Sequence, residues 1–309
     1  MQQFLVLDIG GTKIRYGLCQ GAQLDSIGEF ATPKVTAREF VNEIENHVSH
    51  LILKNNISGV GVASAGPIDY VKGEIRNPAN LGNGDESWKC FELEKDLSHV
   101  LNLPVKVDND AALTALGFYS HYEKGANKDL LVITLGTGLG VGAIVNGEPA
   151  RAGQNMHPEL GHFIVADEAT EFDTLFDGFP TLESYLSGTH FASRVGVSLK
   201  KNLNGAQLLE LSELGNEIVF KHWEEYSKRM AIAWTNLYLA YFPNKIVLAG
   251  GFAGAAKEFY FEKAQFWFSK LMSHRTDAGM ALPEIVISAN SEDLPLLGAG
   301  RLIENHLKK

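Results

Sequence analysis

LVLDIGGTKIRYGL, residues 5–18, lies without a gap over LVITLGTGLGVGAI, residues 131–144. Each stretch is an apolar run, a glycine turn and a second apolar run, the pattern of two buried strands joined tightly. Gly10 falls on Gly136, and the same register carries Gly21 onto Gly147, where Asn146-Gly147 has the composition of a hairpin turn. A register that survives into a second turn predicts two halves built on one plan. Outward from these anchors, residues 4–8, 14–18 and 24–30 read as an antiparallel meander. Thr36 with Glu39 makes a capping box, and Phe40, Val41, Ile44, Val48, Leu51 and Ile52 follow at helical spacing, so a helix of about five turns is expected.

Residues 59–63 and 105–107 read as buried strands around a polar, irregular stretch containing Asn77, Asn80 and Trp88. Residues 208–241 are helical with a break near Gly215, and their aromatic face is expected to be core. Residues 245–249 and 284–288 are strands, and 295–307 a final helix. Such alternation predicts an α/β fold. A chain of 309 residues, 45% of them hydrophobic, is long enough for two domains.

The formal net charge of −10 sets the average surface field against a nucleic-acid backbone or an anionic membrane. Two cysteines, Cys19 and Cys90, give neither a disulfide framework nor a cysteine-rich metal site, and both are expected as reduced, buried thiols. The opening MQQFLVLDIGG lacks the basic segment of a secretory signal, and no apolar stretch reaches membrane-span length, so a cytoplasmic protein is expected.

Asp8 ends the first strand before Gly10, Gly11 and Thr12. Such a turn lets backbone amides approach phosphate oxygens while the carboxylate holds a hydrated magnesium ion. Gly136-Thr137-Gly138, with Gly140 and Gly142, is too rich in glycine for a plain hairpin, and close approach to a ligand explains it better. Neither turn fits the P-loop or the dinucleotide fingerprint. Asp108-Asn109-Asp110 stands between a strand and the helical AALTALGFY; one acid, Asp108 or Asp110, caps that helix, or a carboxylate there serves as a base. Spacing alone leaves both open. Glu159-Leu160-Gly161-His162 looks like a metal pair, but Pro158 and Gly161 exclude a helical zinc-protease motif, and a solvated loop is the alternative. Glu183, in TLESYLSG, sits at a helix start, where an acid also suits the helix dipole.

In order and type these motifs resemble the ROK family of bacterial sugar kinases and regulators. ITLGTGLGVGAIVNGEPARAGQNMHPELGH, residues 133–162, is similar to that family's glycine-rich hairpin leading into Glu-x-Gly-His. DIGGTK at 8–13 resembles its first phosphate loop and SAGPID at 64–69 its first interdomain connection. VLAGG at 247–251 resembles the adenosine loop, and LLGAG at 296–300 the second connection. The resemblance implies an actin-like ATPase, sugar-kinase fold with two domains around a cleft: residues 1–115 plus 296–309 as the smaller and 116–295 as the larger. It further implies ATP and Mg2+, a hexose substrate and a homodimer.

By the same resemblance Asp110 would take the proton from the sugar's primary hydroxyl, while Asn109, Glu159, His162 and Glu183 bind ring hydroxyls beside Gly66 and Asn80. The phosphates would lie at Asp8, Gly10, Gly11, Thr12 and Lys13 and at Gly136, Thr137 and Gly138, with Gly250 and Gly251 near the adenosine. Many family members pair the His of Glu-x-Gly-His with three cysteines on a zinc ion. Here residues 163–182, FIVADEATEFDTLFDGFPTL, hold no cysteine, so no structural zinc is expected, as in zinc-free bacterial glucokinases. Glucose is the favoured sugar, with fructose or an N-acetylated hexosamine as alternatives. A sugar-responsive regulator and a silent sugar binder are the competing classes. The family's repressors carry a DNA-binding domain ahead of the kinase part, whereas this acidic chain opens on the phosphate-loop strand, so DNA binding is not expected.

Overall fold

The computed structural model describes residues 2–78, 81–123, 128–167 and 176–308. Its contacts divide the chain into two units, one of Met1–Lys128, Gly142–Pro158 and Asp293–Lys309, the other of Asp129–Val141 and Glu159–Glu292. The boundaries expected from sequence lie at 115/116 and 295/296.

The chain opens with β1 (Gln3–Ile9), β2 (Lys13–Gln20) and β3 (Gln23–Ala31), the expected meander. Helix α1 (Ala37–Lys54) starts at Thr36, whose hydroxyl accepts the Glu39 amide while the Glu39 carboxylate accepts that of Thr36. The box fixes the helix start, and the spacing of Phe40, Val41, Ile44, Val48 and Leu51 buries one face. After β4 (Ile57–Ser64) come the hairpin of β5 (Ile68–Asp69) and β6 (Glu74–Ile75), helix α2 (Leu93–Leu101), β7 (Val105–Asn109) and α3 (Asp110–Phe118). Trp88, within the stretch that reads as polar and irregular, is 2% exposed. Its indole donates to the Val35 carbonyl and its ring meets Phe40 and Phe91 edge-on.

The second hairpin is β8 (Leu130–Leu135) with β9 (Leu139–Val145), followed by β10 (Glu148–Pro149). Next come α4 (Leu182–Leu186), α5 (Gly188–Leu199), α6 (Gly205–Glu213) and the long α7 (Glu217–Tyr241). β11 (Lys245–Ala249), α8 (Gly251–Ala255), α9 (Lys257–Asp277), β12 (Glu284–Ile287) and α10 (Leu294–Leu307) complete the chain. Trp223, Tyr226, Met230 and Trp234 of α7 are core, as expected. Two of the buried polar tips are satisfied, the Trp223 indole reaching the Ser212 hydroxyl and the Tyr226 hydroxyl the Leu186 carbonyl, whereas the Trp234 Nε1 has no hydrogen-bond partner.

The sheets repeat one plan. Their strand orders are β3-β2-β1-β4-β7 and β10-β9-β8-β11-β12. β1 runs antiparallel to β2 and parallel to β4, which is parallel to β7; likewise β8 is parallel to β11 and β11 to β12. The turn glycines Gly21 and Gly147 both take positive φ, +62° and +83°, the conformation that selects glycine there. In the first unit α10 closes onto β4 and α3 through small residues: a Cβ at Gly61 would strike the Ala299 carbonyl, and one at Gly298 the Leu113 carbonyl.

Candidate active site

In the first unit the candidate residues gather at the carboxyl ends of β1, β4 and β7. Asp8 stands opposite Arg15 across the hairpin. Burial pushes its carboxyl up to about 6, although Arg15 and Lys13 pull the other way. Both cations have other partners: Arg15 reaches Asp293 at 2.8 Å and Lys13 reaches Glu29 at 2.8 Å. The turn itself is held from outside, since the Thr32 hydroxyl donates to the Gly10 carbonyl, the Thr32 amide to Thr12 and the Lys34 amine to Gly11. Lys13 points to a surface partner instead of lining the turn.

Register pairs Ser64 of β4 with Asn109 of β7, which brings Gly66 beside the start of α3. Gly66 has φ +100°, and its carbonyl accepts the Asn109 side-chain amide at 3.3 Å. The helix cap differs from expectation. Asn109, not an acid, caps α3, its Oδ1 accepting the amides of Ala111 and Ala112. Asp108 is 1% exposed and committed to a two-toothed ion pair with Arg151, at 3.0 and 2.6 Å. Asp110 opens the helix, with Oδ1 accepting its neighbour's amide at 2.8 Å. Three consecutive capping-competent residues look alike in sequence; here the middle one points along the axis.

In the second unit Glu159, His162 and Glu183 come together around the glycine hairpin. Glu159 Oε2 is 4.0 Å from His162 Nδ1. Its carboxyl is raised by the protein around it and further by Glu183, against the pull of His162. Glu183 Oε2 accepts the Leu139 amide at 2.8 Å, and a Cβ at Gly138 would lie 2.6 Å from that oxygen. Gly161 packs on the Leu139 carbonyl, where a Cβ would collide. The Gly of Glu-x-Gly-His is therefore a contact with the hairpin.

The glycines of residues 136–142 have several causes, not the single one expected. Gly138 makes room for Glu183, and Gly142 lets the strand meet the Ala111 carbonyl of α3. Gly136 faces open space, as a ligand-approach position requires. Thr137 is exposed beside it. Gly250, at φ +92°, passes against the Leu135 backbone, and Gly251 begins α8 over open space.

The loop between His162 and Glu183 is tied at both ends by backbone. The Val165 amide donates to Pro180, the Leu182 amide to Phe163, and Ile164 bridges Thr181. The His162 ring meets Phe176 edge-on with centroids 5.9 Å apart. Residues 168–175 and Asn80 lie outside the described residues. Cys90 is exposed, contrary to expectation, whereas Cys19 is buried. Sequence reasoning missed Arg151, which has no spacing signal, and Thr134, which in sequence the repeat register lays over Asp8.

The ROK family model matches residues 4–306. The chain is 26% identical over 340 aligned positions to a glucokinase of Halalkalibacterium halodurans, the match covering 99% of this chain and 97% of that one. It is 28% identical to an N-acetyl-D-glucosamine kinase of Photobacterium profundum, over 79% of this chain and 82% of that one. Among solved structures, a ROK hexokinase from Thermus thermophilus aligns over 99% of both chains with a TM-score of 0.82 at 22% identity. The architecture is the actin-like ATPase fold of these proteins. With a match that leaves only a few residues uncovered at each end, the chain belongs to the ROK family.

Proposed function

We propose that this chain is an ATP-dependent hexose kinase, moving the γ-phosphoryl group to the 6-hydroxyl of glucose or a related hexose with Asp110 as the base. The observation that carries it is the division of labour in three consecutive residues. Asn109 caps α3 and Asp108 holds Arg151, while Asp110, the first residue of α3 at the end of β7, is the carboxylate assigned to the chemistry. The hydroxyl proton passes to Asp110 as the oxygen attacks the γ-phosphorus and the bond from that phosphorus to the β,γ-bridging oxygen breaks, releasing ADP.

Asn109, Glu159, His162 and Glu183, with Gly66 and Asn80, are assigned to the sugar. Carboxylates and amides suit a polyol, because a site built to pair each hydroxyl rejects a sugar that lacks one. Residues 10–13 and 136–138 are assigned to the phosphates through their backbone amides, and Gly250 and Gly251 to the adenosine. Asp8 fits a magnesium ion: its half-buried carboxylate stands near the end of β1 with a raised pKa, and its two neighbouring cations reach Asp293 and Glu29. When bound, the ion would neutralise charge on the phosphate oxygens. Water held by Asp8 would complete its shell.

Kinship with both glucokinases and N-acetylglucosamine kinases favours glucose and its 2-acetamido relative as the first substrates to try. A coupled ADP-release assay over glucose, mannose, fructose and N-acetylglucosamine is expected to show turnover with at least one. No turnover with any of them, alongside calorimetric binding of a sugar, would replace the kinase with a silent binder. Among the described residues no helix is long and apolar enough to cross a membrane.

A further inference from the structure

The ion pair of Asp108 with Arg151 takes no part in the chemistry assigned above, yet it is built with care. Asp108 Oδ1 accepts both Arg151 Nη1, at 3.0 Å, and the Asn109 amide, at 2.8 Å; Oδ2 takes Nη2 at 2.6 Å. The guanidinium lies over the Tyr70 ring, 3.9 Å from its centroid. Tyr70 follows the β5 strand, and its amide donates to the Asn155 carbonyl. Arg151 thus joins the end of β7, the β5–β6 hairpin and the segment 142–158 within one unit.

That segment is unusual in the chain. It belongs to the first unit, while the residues on either side of it, the glycine turn before and Glu159 after, belong to the second. Arg151 fastens it to the strand end that presents Asp110. Two parallel hydrogen bonds fix the plane of the Asp108 carboxylate, which a single ammonium would not do. The fixed carboxylate holds the Asn109 amide, Asn109 caps α3, and Asp110 is the first residue of that helix.

We propose that Arg151 is a positioning residue for Asp110, setting the direction of the base through Asp108 and the corner between β7 and α3. The proposal rests on Asp110 being the base. A displacement of about 1 Å at a reacting group costs on the order of 10²-fold in rate, so a fastener of this kind acts on kcat and not on substrate affinity.

The test separates position from stability. Arg151→Met leaves Asp108 buried without its counter-charge and is expected to lower the melting temperature as well as kcat. Adding Asp108→Asn removes the stranded charge while keeping an acceptor for the Asn109 amide. The double variant is expected to regain most of the melting temperature and to stay roughly 10- to 100-fold below wild type in kcat, with KM for ATP within about threefold. Arg151→Lys, which keeps the charge without the fork, is expected to fall between wild type and the double variant. If kcat in the double variant returns together with the melting temperature, Arg151 is only structural and the proposal is overturned. Asp110→Ala in the same assay tells the two failures apart. Wild-type turnover there removes the base and, with it, the positioning role. Lost turnover there with a fully active double variant removes the positioning role alone.

Discussion

The first hairpin, β1–β2, ends its first strand on Asp8; the second, β8–β9, ends the matching strand on Thr134, which the repeat register lays over Asp8. The backbone plan is shared, down to the positive φ of Gly21 and Gly147. The chemistry is not. Asp8 is a carboxylate that burial has made reluctant to ionise, with a pKa near 6. The Thr134 hydroxyl donates to the Gly140 carbonyl and accepts the Gly140 amide, closing its own hairpin without charge. One strand end can address a cation, and the other leaves a neutral cradle of amides with Gly136 over open space. In the proposed reading, one repeated plan serves two electrostatic tasks through a single side chain in each hairpin.

Making the first hairpin resemble the second is the strongest way to break this contrast. Asp8→Thr is expected to lower turnover by about 10²- to 10³-fold, the size of effect seen when one electrostatic partner of a transferring group is removed. Steady-state assays across magnesium concentrations would measure it, and near-wild-type turnover would show that Asp8 holds no cation.

The stability consequence is smaller. The native protein holds the Asp8 proton up to about pH 6, whereas the unfolded chain releases it near 3.8, so native protein binds more protons in that window. Ionised Asp8 therefore costs stability as pH rises through it, by at most about 3 kcal/mol at neutrality. Asp8→Asn is expected to raise the melting temperature at pH 7.5, the gain fading below pH 4. A gain that grew on acidification would contradict the assigned burial.

In the second hairpin, Gly161→Ala drives a Cβ into the Leu139 carbonyl and is expected to destabilise by about 2 kcal/mol in urea unfolding, with a raised sugar KM. The mildest exchange is Thr134→Asp, which brings an acid to the neutral cradle. A KM for ATP raised by roughly tenfold, with kcat less affected, is expected from like-charge repulsion. An equal response to Asp8→Thr and Thr134→Asp would erase the distinction between the two hairpins.

Much of this was legible in the sequence. The repeat announced itself because strand length, turn glycines and register all recur, and the capping box of Thr36 and Glu39 marked a helix start from local chemistry alone. What stayed hidden depends on contacts far along the chain. Arg151 finds Asp108 across 43 residues with no periodicity to betray it. Asp108, Asn109 and Asp110 are all capable caps, and only the strand's register decides that Asn109 faces the helix axis. Gly138 and Gly142 look like ligand-loop glycines, yet Glu183 and α3 explain them. Trp88 sits among polar residues in sequence and is buried by Phe40 and Phe91 in space.

The most direct measurement is the turnover of Asp110→Ala with the best hexose of the panel, set beside calorimetric binding of that sugar. Loss of roughly 10²- to 10⁴-fold in kcat, with the sugar still bound and the fold intact, is the expected result. Turnover within about threefold of wild type, too small a change for the loss of a general base, would show that Asp110 is not the base.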